Sequence, residues 1–220
     1  MKQNAYIAGI GMTKFGKHLD RGLKSLAGEA ISDAVADAGI GLGDLQAAYM
    51  GNAAAAVITG QVCVPGQMIL RSLGVGRIAV VNVENACATA ATAFQQACTM
   101  VSAGLYDVVL ACGVEKLYHQ DKLKTFSVFS GAVDVEAMDQ VIAGIGRRIE
   151  TLDAPIDTAG AGTTRSLFMD IYATWALAHM KRYGTTREQF AAVSAKNSVH
   201  GSLNPKAQYR DVISVQEVLA

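Results

Sequence analysis

Short apolar runs alternate with longer helix-type segments over the first half of the chain, and this alternation constrains the fold most strongly. Each run is too brief for a helix, whereas the segments between the runs carry apolar residues at three-and-four spacing. Strands that follow one another through helices are typical of a parallel sheet. We therefore predict an α/β fold with strands at residues 5–11, 45–51, 78–83 and 107–113 and helices at 23–38, 62–73 and 88–100.

The pattern weakens between residues 117 and 166, where glycines interrupt short apolar pieces and residues 158–164 have the composition of a loop. Helix-type segments return at 167–182 and 187–199. The last stretch, 214–219, fits either a short helical turn or the start of a strand. The second half is therefore predicted to be loop-rich first and helical afterwards.

Cys87 stands between the predicted strand at 78–83 and the predicted helix that follows. A helix N-terminus carries unpaired N–H groups and roughly half a positive charge. A cysteine in the first turn would therefore be favoured as a thiolate, which is the nucleophilic form. Free cysteine is also among the most often buried residues, so the alternative is a small core hydrophobe. The spacing alone leaves both interpretations open.

The segment around Cys87, VNVENACATAATAF at residues 81–94, resembles the nucleophile segment of the thiolase superfamily, closest to its sterol-carrier-protein-2 branch. In that family the matching cysteine takes the acyl group. Ala90 stands where the family often has glycine, so its extra methyl should narrow a close helix contact. Further segments with the same resemblance, in the same order, are 6–16, 107–116, 183–190, 196–197 and 204–209.

The resemblance implies a thiolase-like layered α-β-α fold with an inserted loop domain. Residues 1–116 would form the first thiolase half, which carries the nucleophile. Residues 117–200 would form the loop domain and the helices after it, and residues 201–220 would lead toward a second half. That second half normally supplies the base and a second cysteine.

The implied activity is acyl transfer through an acyl-cysteine at Cys87, which cleaves or forms 3-oxoacyl-coenzyme A thioesters. No cofactor beyond the coenzyme A substrate is implied. Three hypotheses remain. The chain is part of a longer thiolase, a natural subunit of a split or hetero-oligomeric thiolase, or a non-catalytic lipid-transfer or scaffold relative. A related branch performs retro-aldol cleavage, but its nucleophilic cysteine is replaced, so Cys87 favours the thiolase.

The resemblance also implies partners. Thiolase relatives pair through the strand before the nucleophile, here 78–83, so we expect a dimer; a small acyl-CoA-binding protein is a second candidate. The 19 basic and 19 acidic side chains balance, which gives no global field for nucleic acid. Coenzyme A would be met locally, although a solvated face is the alternative for the candidate side chains Arg147, Arg148, Lys181 and Arg182.

No metal site is expected, because the four cysteines lack the close spacing of zinc ligands. The apolar runs are shorter than the roughly 18 residues of a membrane span, and the N-terminus lacks the apolar core of a signal peptide. We therefore expect a cytoplasmic protein. Isolated histidines are not expected to act as a base; they are His18, His119, His179 and His200.

Overall fold

The computed structural model describes residues 4–152 and 166–220. Contacts divide the chain into two units. The first unit comprises Met1–Thr13 and Lys17–His119, and the second comprises Lys14–Gly16 and Gln120–Ala220. The boundaries expected at residues 116 and 200 stay predictions.

A three-stranded parallel sheet forms the centre of the first unit. Its strands are β1 (Ala47–Gly51), β2 (Ala79–Val83) and β3 (Val109–Gly113), in the order β2-β1-β3. Gly51 stands level with Val83 and with Gly113, so the three strands end at one edge of the sheet. The parallel arrangement and three of the four predicted strands are confirmed.

Helices cover both faces of this sheet. The first unit has α1 (Leu23–Asp37), α2 (Ala55–Thr59), α3 (Pro65–Ser72) and α4 (Thr89–Ser102). Successive strand residues point to opposite faces: Met50 packs in the cluster with α1 and α3, and Tyr49 packs with α4. The layered α-β-α arrangement is therefore present, and β1 is buried along its whole length.

The predicted strand at residues 5–11 is wrong, because the structure has no strand there. This segment lies against α1 instead. A Cβ atom at Gly9 would collide with the carbonyl oxygen of Ala34, and the Ile10 N–H donates to the Asp37 carboxylate at 2.9 Å. A cavity of about 540 Å³ separates the segment from β3. An apolar pattern can indicate a β-type run, but it does not show which strand would pair with that run. In segment 5–11, Gly9 lets the chain approach the backbone of α1 closely.

The predicted helix at 62–73 begins later, at Pro65. Val64 has a φ of +49°, in the left-handed region, so it cannot belong to the helix. Proline sets the φ of the first helical residue and disfavours helical geometry in the residue before it. Proline therefore fixes where α3 starts.

The second unit is helical where it is described. The expected helices at 167–182 and 187–199 are confirmed, and the last segment is a helical turn that Ser214 caps. Two further helices lie in the stretch expected to be loop-rich, and the expected loop at 158–164 lies outside the described residues. Its helices are α5 (Lys122–Ser130), α6 (Met138–Glu150), α7 (Leu167–Tyr183), α8 (Arg187–Leu203) and α9 (Val215–Leu219). Among the described residues, no helix has the length and apolarity to cross a membrane.

Candidate active site

Cys87 lies in the middle of a 3₁₀ turn, Ala86–Ala88, between β2 and α4. The helix begins at Thr89, so the cysteine precedes it by two residues and is not in its first turn as predicted. The residue is exposed, which rules out the interpretation as a buried core hydrophobe. Ala86 has a φ of +45°, a strained value for a residue other than glycine. Such strain costs about 1–3 kcal/mol and is concentrated at functional sites.

A network of hydrogen bonds holds the Cys87 turn, which we define as residues 84–88. The Glu84 carboxylate accepts from the Ala86 N–H at 2.6 Å, and the Asn85 N–H donates to the Thr89 hydroxyl at 2.8 Å. The Thr89 hydroxyl donates in turn to the Ala86 carbonyl at 2.7 Å, and the Asn85 amide donates to Thr92 at 2.9 Å. Thr89 is buried, so the turn is tied to the first residue of α4.

Gly51 and Gly113, the last residues of β1 and β3, contact the first residues of α4. A Cβ atom at Gly113 would lie 2.6 Å from the Cβ of Ala90, and one at Gly51 would lie 2.9 Å from the Cγ2 of Thr89. The close helix contact expected at Ala90 is therefore present. The start of α4 rests directly on the carboxyl ends of β1 and β3.

Asn52 and Glu115 follow these strand ends, and the sequence reasoning assigned them no role. The Asn52 amide donates to the Val114 carbonyl at 2.7 Å and to Glu115 Oε1 at 3.3 Å. Glu115 Oε2 accepts from the N–H groups of Ala53 and Ala54, each at 3.0 Å. The available signal was the segment 107–116, which contains Glu115 and shares the resemblance to the thiolase superfamily.

The other cysteines occupy different environments. Cys63 is exposed, Cys98 is half-buried, and Cys112 is buried in β3. Burial raises the pKa of the Cys112 thiol from its ordinary value of 9.0 to about 11, because desolvation disfavours the thiolate. Cys112 is therefore a neutral thiol at pH 7.

The basic candidates for coenzyme A lie at helix ends. Arg147 and Arg148 are in the last turn of α6, and Lys181 and Arg182 are in the last turn of α7, where cations favour the helix dipole. The Lys181 ammonium donates to the Thr151 carbonyl at 3.2 Å, and the Arg182 guanidinium lies 5.2 Å from the centre of the Tyr183 ring. These contacts are structural, and a role with coenzyme A stays a prediction.

Histidine and metal chemistry add little to this site. His179 and His200 lie on α7 and α8, in the unit that does not contain Cys87. The ring of His179 packs against Tyr183 with centroids 4.7 Å apart and shares a hydrogen bond with Thr185 at 3.0 Å. Within residues 4–152 and 166–220, the structure has no group of three or more His, Cys, Asp or Glu side chains that could hold a metal ion.

Comparison with known proteins decides the family. Residues 5–218 match the family model described as thiolase, N-terminal domain. The chain belongs to the thiolase family. An acetyl-CoA acetyltransferase from Methanothermobacter thermautotrophicus is 32% identical over 213 residues, which cover 97% of this thiolase chain and 49% of that relative.

Two further relatives agree. Sterol carrier protein 2 from Gallus gallus is 31% identical over 221 residues, covering 100% of this chain and 37% of that protein. A solved structure titled Ltp2-ChsH2(DUF35) aldolase has a TM-score of 0.62 and 26% identity, covering 96% of this chain and 47% of that one. The resemblance found in the sequence is thus confirmed. The thiolase chain spans half or less of the length of these relatives.

Proposed function

We propose that this chain carries the nucleophile of a thiolase-type acyltransferase and that the nucleophile is Cys87. The observation that supports the proposal most directly is an exposed cysteine, on a strained turn between a strand and a helix, in a thiolase N-terminal domain. The acetyltransferase named among its relatives supports this reaction class. The substrates would be acyl-coenzyme A thioesters, with no cofactor beyond coenzyme A.

In the proposed reaction, the Cys87 thiolate attacks the ketone carbon of a 3-oxoacyl thioester. A carbon–sulfur bond forms, and the carbon–carbon bond to the thioester arm breaks. The electron pair of that bond goes to the leaving enolate, which takes a proton and departs as acetyl-coenzyme A, while the shortened acyl group stays on Cys87. The thiol of coenzyme A then takes the acyl group, and Cys87 is released. Negative charge develops on oxygen in the first step, where a backbone N–H such as that of Cys87 would stabilise it.

The test is acylation of the cysteine. We expect incubation with acetyl-coenzyme A to add one acetyl group that peptide mass spectrometry places on Cys87 and that hydroxylamine removes. Cys87→Ala should abolish the adduct. Cys63→Ala is the matched control, because Cys63 is also exposed, and this variant should be acylated like the wild type. An adduct that persists in Cys87→Ala would refute the assignment.

Iodoacetamide gives a second, substrate-free measurement. At neutral pH we expect Cys87 to alkylate faster than the other three cysteines, because it is exposed on a strained, hydrogen-bonded turn, whereas Cys98 is half-buried and Cys112 is buried. Equal rates for Cys87 and the exposed Cys63 would contradict the nucleophile assignment.

Association is the second part of the proposal. β2 stands at the edge of the three-stranded sheet, and its residue Val81 is 41% exposed. An edge strand offers unpaired N–H and C=O groups to another strand. We propose a two-fold dimer that pairs β2 with its copy, as the resemblance implies. The solved relative's title names a DUF35 component, which supports a further partner subunit as a candidate.

Two alternatives have support in the names of relatives. A non-catalytic lipid-transfer or scaffold subunit is favoured by the relative named sterol carrier protein 2, and an unreactive Cys87 would select it. Retro-aldol cleavage is favoured by the solved relative titled an aldolase. It needs no acyl-cysteine, so cleavage of a 3-hydroxyacyl thioester by Cys87→Ala would select that reaction. The expected cytoplasmic location stays a prediction.

A further inference from the structure

Asn52 and Glu115 connect the carboxyl ends of all three strands at the edge of the sheet where the Cys87 turn begins. We infer that these two side chains, the Asn52–Glu115 pair, are positioning residues that hold the Cys87 turn for acyl transfer. The inference rests on the proposed function for its chemistry, and on the hydrogen bonds described next for its geometry.

Asn52 makes the link between the strands. Its backbone N–H donates to the carbonyl of Val83, the last residue of β2, at 3.2 Å. Its side-chain amide donates to the carbonyl of Val114, just after β3, at 2.7 Å. Because Asn52 itself follows the last residue of β1, one residue ties together the ends of three strands.

Glu115 holds Asn52 in this place. Its carboxylate accepts four hydrogen bonds, of which the Asn52 amide gives one at 3.3 Å and the Lys116 N–H gives one at 2.9 Å. The N–H groups of Ala53 and Ala54 give the other two, each at 3.0 Å. Hydrogen bonds to an ionised acceptor are stronger than neutral ones. The loop after β1 is therefore anchored to Val114 and Glu115, which follow β3.

The Lys116 ammonium takes no part in this anchor, since it donates to the carbonyls of His18 and Arg21 instead. It therefore secures a separate segment of the first unit. Glu115 is half-buried and receives its hydrogen bonds from an amide and from backbone N–H groups.

The anchored strand ends are the supports of the Cys87 turn. Val83 precedes Cys87 by four residues and is fixed from the Asn52 side. The other end of the turn leads into α4, whose first residues rest on Gly51 and Gly113. If the hydrogen bonds of the Asn52–Glu115 pair were lost, Val83 at the start of the turn would be less constrained. Gly51 and Gly113, which contact the start of α4, would shift. The sulfur of Cys87 would then lose its fixed position, while the core on the other sheet face would stay packed.

The test compares Glu115→Gln with Asp44→Asn. Glutamine keeps the size of the side chain but replaces one acceptor oxygen with a donor, so it cannot accept all four hydrogen bonds. Asp44 is the matched control, because its carboxylate also accepts a backbone N–H, from Gly41 at 2.7 Å, but precedes β1 at the amino end of the sheet. Asn52→Ala removes the side-chain donor and keeps the backbone bond to Val83, and it replaces Glu115→Gln if that variant does not fold.

Two measurements are made on each 220-residue variant. In acylation by acetyl-coenzyme A, we expect Glu115→Gln to lower the maximal rate about tenfold, the effect of losing one charge-assisted hydrogen bond. The half-saturating thioester concentration should stay within about twofold, because the substrate still binds. In hydrogen exchange, the amides of the Cys87 turn should exchange at least about fivefold faster, as expected for a locally opened segment. Asp44→Asn should change neither quantity.

An unchanged maximal rate in a folded Glu115→Gln or Asn52→Ala variant overturns the inference, as does unchanged exchange in the Cys87 turn. An equal fall of rate in Asp44→Asn overturns it too, because the effect would then be general destabilisation. If the wild type takes no acetyl group on Cys87, the proposed function fails, and the exchange measurement still decides whether the Asn52–Glu115 pair holds the turn.

Discussion

The contact between Gly113 and Ala90 gives the sharpest prediction, because a single added methyl must collide with a helix. In Gly113→Ala the new Cβ atom would stand 2.6 Å from the Cβ of Ala90, well inside ordinary carbon–carbon contact at about 3.5–4.0 Å. The Ala90 methyl group is attached directly to the helix backbone, so no side-chain rotation can move it away. The strand end or the start of α4 must shift.

We expect Gly113→Ala to lower the free energy of unfolding by about 1–3 kcal/mol, the usual range for overpacking. Ala90→Gly alone should cost about 1 kcal/mol, because glycine is unfavourable in a helix. Their combination should restore part of the loss, since it removes the colliding methyl. The coupling between the two sites should then be about 1–2 kcal/mol, as is usual for residues in contact.

Urea unfolding followed by circular dichroism measures all four proteins. Gly76→Ala is the matched control, because nothing lies within 4 Å of the added atom. That substitution should leave stability unchanged or raise it by up to about 1 kcal/mol. Additive effects of the Gly113 and Ala90 substitutions would refute the proposed collision, and so would a neutral Gly113→Ala.

Three further expectations follow from single sites. Ala86→Gly should keep or raise stability by up to about 1 kcal/mol, since it relieves a left-handed φ, whereas Ala91→Gly in α4 should cost about 1 kcal/mol; similar losses in the two urea midpoints would contradict the strained turn. Val81→Lys should convert the proposed dimer to a monomer in light scattering while Val57→Lys, similarly exposed, does not; a dimer in both would exclude the β2 edge. Burial raises the pKa of the Cys112 thiol from 9.0 to about 11, so the folded state holds this proton more tightly than the unfolded state. The resulting contribution to the free energy of unfolding is complete below pH 9 and should fall by about 3 kcal/mol as pH rises to about 11 and beyond. An equally steep loss of stability in Cys112→Ala would refute Cys112 ionisation as the cause.

Local pattern was enough to predict the three strands of the described sheet, but it also predicted a strand at 5–11 that the structure does not have. The runs at 45–51, 78–83 and 107–113 form strands because helices cover both faces of the sheet they share. The run at 5–11 has a comparable apolar pattern. Gly9 and Gly11 let it lie on α1, because a Cβ atom at Gly9 would collide with the carbonyl of Ala34 and one at Gly11 with the carbonyl of Ala30. Tertiary contact decides this case, and a sequence pattern does not encode it.

Capping aspartates stand before the two helices that were not predicted. The Asp121 carboxylate accepts from the Leu123 N–H at 2.9 Å and so starts α5, and Asp134 does the same for the turn before α6, from the Glu136 N–H at 3.0 Å. Asp121 precedes a weakly patterned segment, so the cap was the better signal for α5. The α6 segment carries apolar residues at three-and-four spacing, so apolar spacing also predicts that helix; these residues are Met138, Val141, Ile142, Ile145 and Ile149.

At the candidate site, the sequence predicts the proposed nucleophile, but it does not predict the side chains that hold the turn around it. Cys87 stands out because strand, cysteine and helix follow one another within a few residues. Asn52 and Glu115 are 63 positions apart, and only the parallel register brings the ends of β1 and β3 together. Such a contact depends on the sheet having formed.

The geometry of the Cys87 turn depends on two sets of contacts with separate effects. The strain at Ala86 is offset locally by the bonds of Glu84, Asn85 and Thr89, each contributing about 1 kcal/mol. These bonds move with the turn and cannot orient it relative to the sheet. That orientation depends on the contacts of Gly51 and Gly113 with α4 and on the Asn52–Glu115 pair. Loss of a local bond should therefore open the turn itself, whereas loss of the pair should open it by freeing its ends from the sheet, which displaces Cys87.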